Sequence, residues 1–344
     1  MTQTIELDGH SLITPHAINV ELFNDISQDL SGKQAKAELV ADLDRAQDEF
    51  ARGLSPRSIG TWLTLRLHEI RNSLDPDIWR TLIPVAQNHP VAQYFHQDPL
   101  TKWSWDKPRG YSGDAHLLDL IYRDDKIAHH VSDATDIGRE LFEFTSTAPS
   151  SLANWDRRDI LARKVDEIAA SRDEAISVLS FAAGHLREAA VSEAFKAGKV
   201  SKWVAVDQDP LSMAEVKASY EGSSVESSTG NIRDLLANRL NLGTHDFVYA
   251  SGLYDYLNDK IAIKTTQRLL NLVKPGGTFL FANYSYPIVV DGYLETFMNW
   301  TLLLRSEEDM WRVIRESGSE DEWESSVFFG HERNIAYGVM RRKA

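Results

Sequence analysis

Apolar residues recur at three- and four-residue steps along AKAELVADLDRAQDEFARGL and SIGTWLTLRLHEIRNSL, between about Gln34 and Ile83. That is the period of a helix with one buried face, so the N-terminal part is predicted to be helical. From Asp98 to Tyr122 the pattern gives way to aromatics and turn residues, and helical spacing resumes through Leu141, Ile160, Val165 and Ile168. After Asp173 the period changes. Short apolar runs follow, separated by amphipathic stretches: AISVLSF (Ala175 to Phe181), WVAVD (Trp203 to Asp207), DFVYAS (Asp246 to Ser251) and GTFLFAN (Gly277 to Asn283). Strands alternating with helices imply a parallel sheet covered on both faces. SSVESST (Ser223 to Thr229) is a less apolar strand between WVAVD and DFVYAS, which makes DFVYAS the fourth strand and GTFLFAN the fifth. LVKPGG (Leu272 to Gly277) reads as a helix end and a turn ahead of that fifth strand. SSVFFG and NIAYGVMRR close the chain as two adjacent strands, consistent with an antiparallel edge pair. The expected organisation is a helical unit over residues 1–170 and an α/β unit over residues 171–344.

A chain of 344 residues has room for two such units. With 42% apolar residues and nine Trp it has ample material for packed cores, which excludes a disordered chain. The formal charge of −14 opposes tracking of a phosphate backbone, because each phosphate contact needs a Lys or Arg. Nucleic acid is therefore not an expected partner. The chain has no cysteine, which excludes disulfides, Cys-ligated zinc and thiol nucleophiles. None of the eleven histidines falls into a metal-binding pattern, and no metal is expected. The first thirty residues carry Glu6, Asp8, Glu21 and Asp25 among short apolar pieces. No stretch there approaches the ~20 apolar residues of a membrane span, so a cytoplasmic protein with no membrane partner is expected. The oligomeric state is left open.

In open parallel sheets, ligands lie beyond the C-terminal ends of the strands, near the point where strand order reverses. The first strand leads into VLSFAAGHLREA (Val178 to Ala189), where Ala182, Ala183 and Gly184 are small enough for close backbone approach to a ligand. Small residues at a strand-to-helix turn also serve packing. Asp207, with Gln208 beside it, ends the second strand 23 residues after Gly184. That is close to the ~20-residue separation at which an acid meets ribose hydroxyls in such folds. GNIRDL (Gly230 to Leu235) follows the third strand, where a polar side chain and nearby backbone commonly hold adenine; Asn231 and Ile232 are the candidates. Ser251, Tyr254 and Asp255 fall just past the fourth strand.

The order of these parts resembles class I methyltransferases that use S-adenosylmethionine (SAM), over roughly Ala175 to Lys343. Within that superfamily, SFAAGHLREA is similar to the SLACGPxRE variant of bacterial proteins related to the 3-hydroxypalmitate methyl ester synthase group. KPRGYSGDAHLLDLIY (Lys107 to Tyr122), ANYSYP (Ala282 to Pro287) and MNWTLLLRSEEDM (Met298 to Met310) extend the likeness beyond the core. The chain departs from that pattern at Ala183, where Cys is usual, and at His185, where Pro is usual. It departs again at Leu186, where a second Gly often stands, and at Asn231, where Asp is common.

The resemblance implies a Rossmann-like class I methyltransferase fold, a mostly parallel sheet with an antiparallel edge pair, preceded by a helical extension whose segment 107–122 forms a lid. It implies SAM as cofactor, with Ala182, Ala183, Gly184, Asp207, Gln208, Asn231, Ile232 and Ser251 around it and Arg109 or Tyr111 reaching its methionine end. A sulfonium cation is attracted to an aromatic face by roughly 0.5 to 2 kcal/mol, which points to Tyr111, Tyr254 and Tyr284. Methyl transfer needs mainly approach of a nucleophile and exclusion of water. The expected acceptor is a small molecule of secondary metabolism or signalling, with a carboxylate, hydroxyl or amine group. A carboxylate acceptor would need a guide such as Arg109, Arg187 or Asn283, and His185 and Tyr284 complete the substrate set.

The alternative reaction is that of azetidine-2-carboxylate synthases, in which the amino group of SAM attacks its own γ-carbon and expels methylthioadenosine. Asp114, Asp255 or a tyrosine would then assist the amine, so Tyr111, Asp114, Tyr254 and Asp255 form the catalytic set. A nicotinamide dehydrogenase is disfavoured because the first loop lacks the three-glycine spacing. A non-catalytic SAM-binding protein would bind the cofactor without turnover.

Overall fold

The computed structural model describes residues 30–344, so Glu6, Asp8, Glu21 and Asp25 lie outside the described residues. The chain divides into two compact units. One comprises Ala153–Pro287 and Leu302–Ala344, and the other comprises residues 30–152 and Ile288–Thr301.

The first unit is built on seven strands: β1 (Ile176–Phe181), β2 (Val200–Asp207), β3 (Val225–Thr229), β4 (His245–Ala250), β5 (Val273–Tyr284), β6 (Trp323–Phe329) and β7 (Ile335–Arg342). Their order is β3-β2-β1-β4-β5-β7-β6. β7 runs antiparallel to β5 and β6, and every other pair is parallel. This is a Rossmann-like arrangement, a mostly parallel sheet with the antiparallel edge pair expected from the sequence. Strand order reverses between β1 and β4, which puts the switch point there.

Burial explains why the sequence pattern reads as it does. Val178, Leu179, Phe247, Val248, Phe279, Leu280 and Phe281 are fully buried in consecutive positions, as a sheet covered on both faces requires. β3 is an edge strand with mostly exposed side chains, and its VESST sequence is correspondingly polar. Gly338 interrupts β7 because a Cβ there would run into the Phe281 ring.

The KPGG segment differs from expectation. β5 already pairs at Val273 with His245, and the next pair is Phe247 with Thr278, so residues 274–277 bulge out within the strand instead of forming a turn ahead of it. Gly276 takes the left-handed conformation the bulge needs. Lys274 Nζ fastens the bulge, 2.9 Å from both Asp246 Oδ2 and Ser177 Oγ.

The second unit contains the predicted N-terminal helices, Leu30–Ala51, Pro56–Ser73 and Pro76–Gln87. Ser55 and Asp75 cap the latter two with side-chain oxygens, each followed by a proline whose missing N–H costs nothing at that position. Ile288–Thr301 joins this unit through partly buried ion pairs. Arg71 forks onto both carboxylate oxygens of Glu295 at 3.0 Å and reaches Asp291 Oδ2 at 2.9 Å. Trp79 donates to Glu295, and His68 Nδ1 lies 2.7 Å from Asp291 Oδ1.

The units therefore do not divide at residue 170. Most of the Pro149–Ala170 helix belongs with the sheet, because Arg157 donates to Ser251 and Asp166 accepts from Ser192 and Ala194. Among the described residues, no helix is long and apolar enough to cross a membrane.

Candidate functional site

The loop leaving β1 is held in an unusual backbone conformation. Ala182 (φ 57°), Gly184 (φ 54°) and Leu186 (φ 54°) are all left-handed, and two of the three carry a Cβ. Such residues cost on the order of 1–3 kcal/mol each and persist only where surrounding structure fixes them, often at binding loops. The fixing groups are visible. Ala183 N donates to Val206 O on β2 at 3.0 Å, and Gly184 N donates to Asp207 Oδ2 at 2.9 Å. The expected helix after this loop is replaced by consecutive turns that lead to the short Glu193–Lys196 helix.

Asp207 lies at the tip of β2, where its carboxylate ties two loops together. Oδ2 receives the Gly184 amide and Oδ1 receives the Asp209 amide, both at 2.9 Å. Burial pushes the carboxyl above its ordinary value, the two amides and the charge of His185 act against that, and the charge of Asp209 adds to it. Each oxygen has a second lone pair, so two acceptor positions can serve a ligand's hydroxyls. Asp209 itself caps the Pro210–Ser219 helix, accepting from Leu211 and Ser212.

Asn231 caps the short Ile232–Leu236 helix. Its Oδ1 accepts from Asp234 N, and Asp234 returns the bond to Asn231 N. Ser251 follows β4, and its carbonyl accepts from Arg157 Nη1 at 3.0 Å. Ala182, Ala183, Gly184, Asp207, Gln208, Asn231, Ile232 and Ser251 thus all sit at or just past the C-terminal ends of β1, β2, β3 and β4.

Tyr254, Asn283, Tyr284 and Asp114, also expected at the site, have polar atoms engaged inside the protein. Tyr254 is fully buried with its ring 4.6 Å from that of Phe281, and its hydroxyl meets Thr266 Oγ1 at 2.7 Å. It is a core residue, not one presented at the strand tips, and burial raises its hydroxyl well above the ordinary value. Asn283 is buried, donating to the carbonyls of Tyr284 and Leu303 and accepting from Arg305. The Tyr284 hydroxyl accepts from Asn154 Nδ2 at 2.6 Å. His185 is buried, and Arg187 lies 3.8 Å from Glu215. Arg109, Tyr111 and Asp114 belong to the helical unit. There Asp114 caps the Ala115–Ile121 helix through Leu117 N and accepts from Trp103 Nε1 at 2.9 and 3.1 Å.

Asp255 accepts from Tyr284 N at 2.6 Å. Burial raises its carboxyl to about 6 from an ordinary 3.8; the Tyr284 amide, then the charges of Arg157 and Arg305, hold it from rising further. The folded state therefore grips this proton more tightly than the unfolded chain does. That contribution is complete below about pH 4 and is lost as pH rises through 6, a change of about 3 kcal/mol. Asp255→Asn should flatten the pH dependence of stability between 4 and 6 in urea unfolding; identical slopes in variant and parent would contradict the assignment.

Two residues in this region, Arg157 and Arg305, were not anticipated from sequence. Arg305 is buried and donates to the carbonyls of Tyr254 (2.7 Å) and Leu257 (2.5 Å), to Asn283 Oδ1, and to Asp259 Oδ1 at 3.1 Å. The helical period does place Asn154 and Arg157 in one buried stripe with Ile160, Leu161 and Val165, and a cation in an apolar stripe is a legible signal.

No family model matches the chain, and no curated protein matches it in sequence. Solved structures do match. A possible exported protein from Bordetella parapertussis is 16% identical, with 84% of this chain and 97% of that chain covered at a TM-score of 0.53. A putative methyltransferase from Thermobifida fusca YX is 15% identical, covering 67% and 94%, with a TM-score of 0.47. An O-methyltransferase family protein from Burkholderia thailandensis is 15% identical, covering 74% and 70%, with a TM-score of 0.45. At these identities the first match establishes a shared fold, and its coverage takes in helical segments as well as the sheet.

Proposed function

We propose that this chain is a cytoplasmic SAM-dependent methyltransferase acting on a small molecule. One observation carries the reading. At the switch point of a β3-β2-β1-β4-β5-β7-β6 sheet, a strained loop after β1 is tied by its Gly184 amide to the buried Asp207 carboxylate at the tip of β2. The spare acceptor positions of Asp207 suit the two ribose hydroxyls of a nucleoside, and a buried carboxylate makes stronger hydrogen bonds than an exposed one. Gln208 flanks that acid, and Asn231 and Ile232 begin a short helix at the next strand tip, in place to border the adenine. Ala182, Ala183 and Gly184 allow close approach from one side, and Ser251 borders the site from β4.

Bound SAM would supply an electrophilic methyl carbon. The residues named here bind and orient it, and the transfer itself needs approach and water exclusion more than a base when the acceptor is already ionised. The resemblance to methyl ester synthases favours a carboxylate acceptor, in a setting of secondary metabolism or signalling.

Titration calorimetry with SAM should show saturable binding, and no heat or thermal shift in well-folded material would overturn the reading. Incubation with SAM alone, followed by product analysis, separates transfer from cyclisation. A stable cofactor agrees with an enzyme awaiting its acceptor; accumulating methylthioadenosine would replace methyl transfer with cyclisation.

A further inference from the structure

At the end of the sheet opposite the strand-tip loops, the start of β5, the end of β7 and the start of β6 meet the last turns of the Pro149–Ala170 helix around a cleft of about 490 Å³. Its floor is one face of the sheet. Thr278, Arg341 and Glu324 stand there in one cross-strand row, with Val339 and Ser326 in the next. Lys164 and Glu167 line it from the helix, and Arg172 from just past the helix end. All of these residues belong to the sheet unit.

The fold does not use up the polar groups of this cleft. Thr278 is only 9% exposed, yet its hydroxyl has no hydrogen-bond partner among the described residues, where a side chain so far out of bulk water normally finds one. Arg341 makes no hydrogen bond or ion pair among the described residues, although Glu324 is its neighbour across the strands. Arg172 spends one of its five donors, from Nη2 to the Gly276 carbonyl at 2.7 Å. The glycine makes room for it, since a Cβ at 276 would stand 3.2 Å from that nitrogen. Lys164 is engaged by Glu167 at 2.6 Å, which leaves the two guanidinium groups as the available cations.

Two guanidinium forks and a buried hydroxyl converging in a chain of formal charge −14 suit an anion, and the forks match the oxygens of a phosphate. The volume falls in the range of roughly 300–1,000 Å³ that small-molecule sites occupy. Glu324 repels a bare anion but accepts from hydroxyl groups, so it favours a ligand that carries hydroxyls beside its phosphate. We propose that this cleft binds a small hydroxylated phosphate monoester, with the phosphate received by Arg172, Arg341 and Thr278. The proposal does not depend on the SAM reading. The two sites lie at opposite ends of the strands, so both ligands can be bound together.

Glycerol 3-phosphate is the probe, with inorganic phosphate and glycerol beside it, in a phosphate-free buffer of low ionic strength. Calorimetry on the full chain should show saturable binding of glycerol 3-phosphate at millimolar or lower concentration, several-fold tighter than inorganic phosphate, and no binding of glycerol. Arg341→Gln should weaken it at least about 10-fold, the worth of one charge-assisted hydrogen bond. The unfolding temperature of that variant without ligand should match the parent's, because the side chain holds no other group in place. Thr278→Val should lose less, and Glu324→Gln should narrow the gap between the two phosphates. Absence of saturable binding by the parent, undiminished affinity in Arg341→Gln, or displacement of the probe by S-adenosylhomocysteine overturns the proposal. Inorganic phosphate binding as tightly as glycerol 3-phosphate overturns the part given to Glu324.

Discussion

Asp207→Ala is expected to abolish measurable SAM binding, because one substitution removes both the proposed ribose acceptor and the tie between two loops. Two hydrogen bonds to a charged carboxylate are worth about 3 to 6 kcal/mol together, which is at least about 100-fold in affinity. The Gly184 and Asp209 amides, each 2.9 Å from a carboxylate oxygen, lose their acceptor in the same step. Without it the left-handed conformations of Ala182 and Leu186 have less to hold them, and the β1 loop should relax. Hydrogen exchange at those two amides should therefore accelerate in the variant even with no ligand present. Asp207→Asn is informative beside it: its one carbonyl oxygen can keep one amide, while its NH2 would face the other donor to donor. Calorimetry decides the case, and an affinity within a few-fold of the parent's would remove Asp207 from the site.

Arg305→Met should produce the largest loss of stability. The side chain is buried, and its removal leaves the carbonyls of Tyr254 and Leu257 and the amide oxygen of Asn283 without their donor. Breaking such a buried charge network costs about 3–5 kcal/mol, equivalent to a fall of the unfolding temperature on the order of 10 °C. Arg305→Lys retains the charge as a single point donor and cannot span several acceptors, so its loss should be smaller but still clear. Thermal unfolding followed by circular dichroism reads both. A change below about 1 kcal/mol for the Met variant would mean that water or other groups satisfy these oxygens.

The strands were legible because the sheet is covered on both faces, so β1, β4 and β5 appear as continuous apolar runs, and because β3 at the edge is polar for the same reason. The loops around Gly184 and Asp207 were legible from chain order alone, since in this topology each candidate follows its own strand. Tyr254, Asn283 and Tyr284 were misplaced for a common reason. Sequence shows that a side chain lies near a strand end but not which way it points, and these turn inward to Thr266, Arg305 and Asn154. Arg157 could be seen as an odd cation in a helix stripe, but its partner is 94 residues away. The KPGG bulge was hidden because a bulge and a turn use the same glycine conformation, and only the pairing of Val273 with His245 tells them apart.

The ion pairs of Arg71 with Asp291 and Glu295 span 220 and 224 residues. Because synthesis runs from the N-terminus, the early helices emerge from the ribosome with Arg71 lacking its acids, and wait while β1 to β5 are made. The helical unit thus reaches its final form late, after most of the sheet has been synthesised. A fragment ending before Ile288 would leave that arginine in a slot built for two carboxylates, so fragments cut at the obvious midpoint should be prone to aggregate.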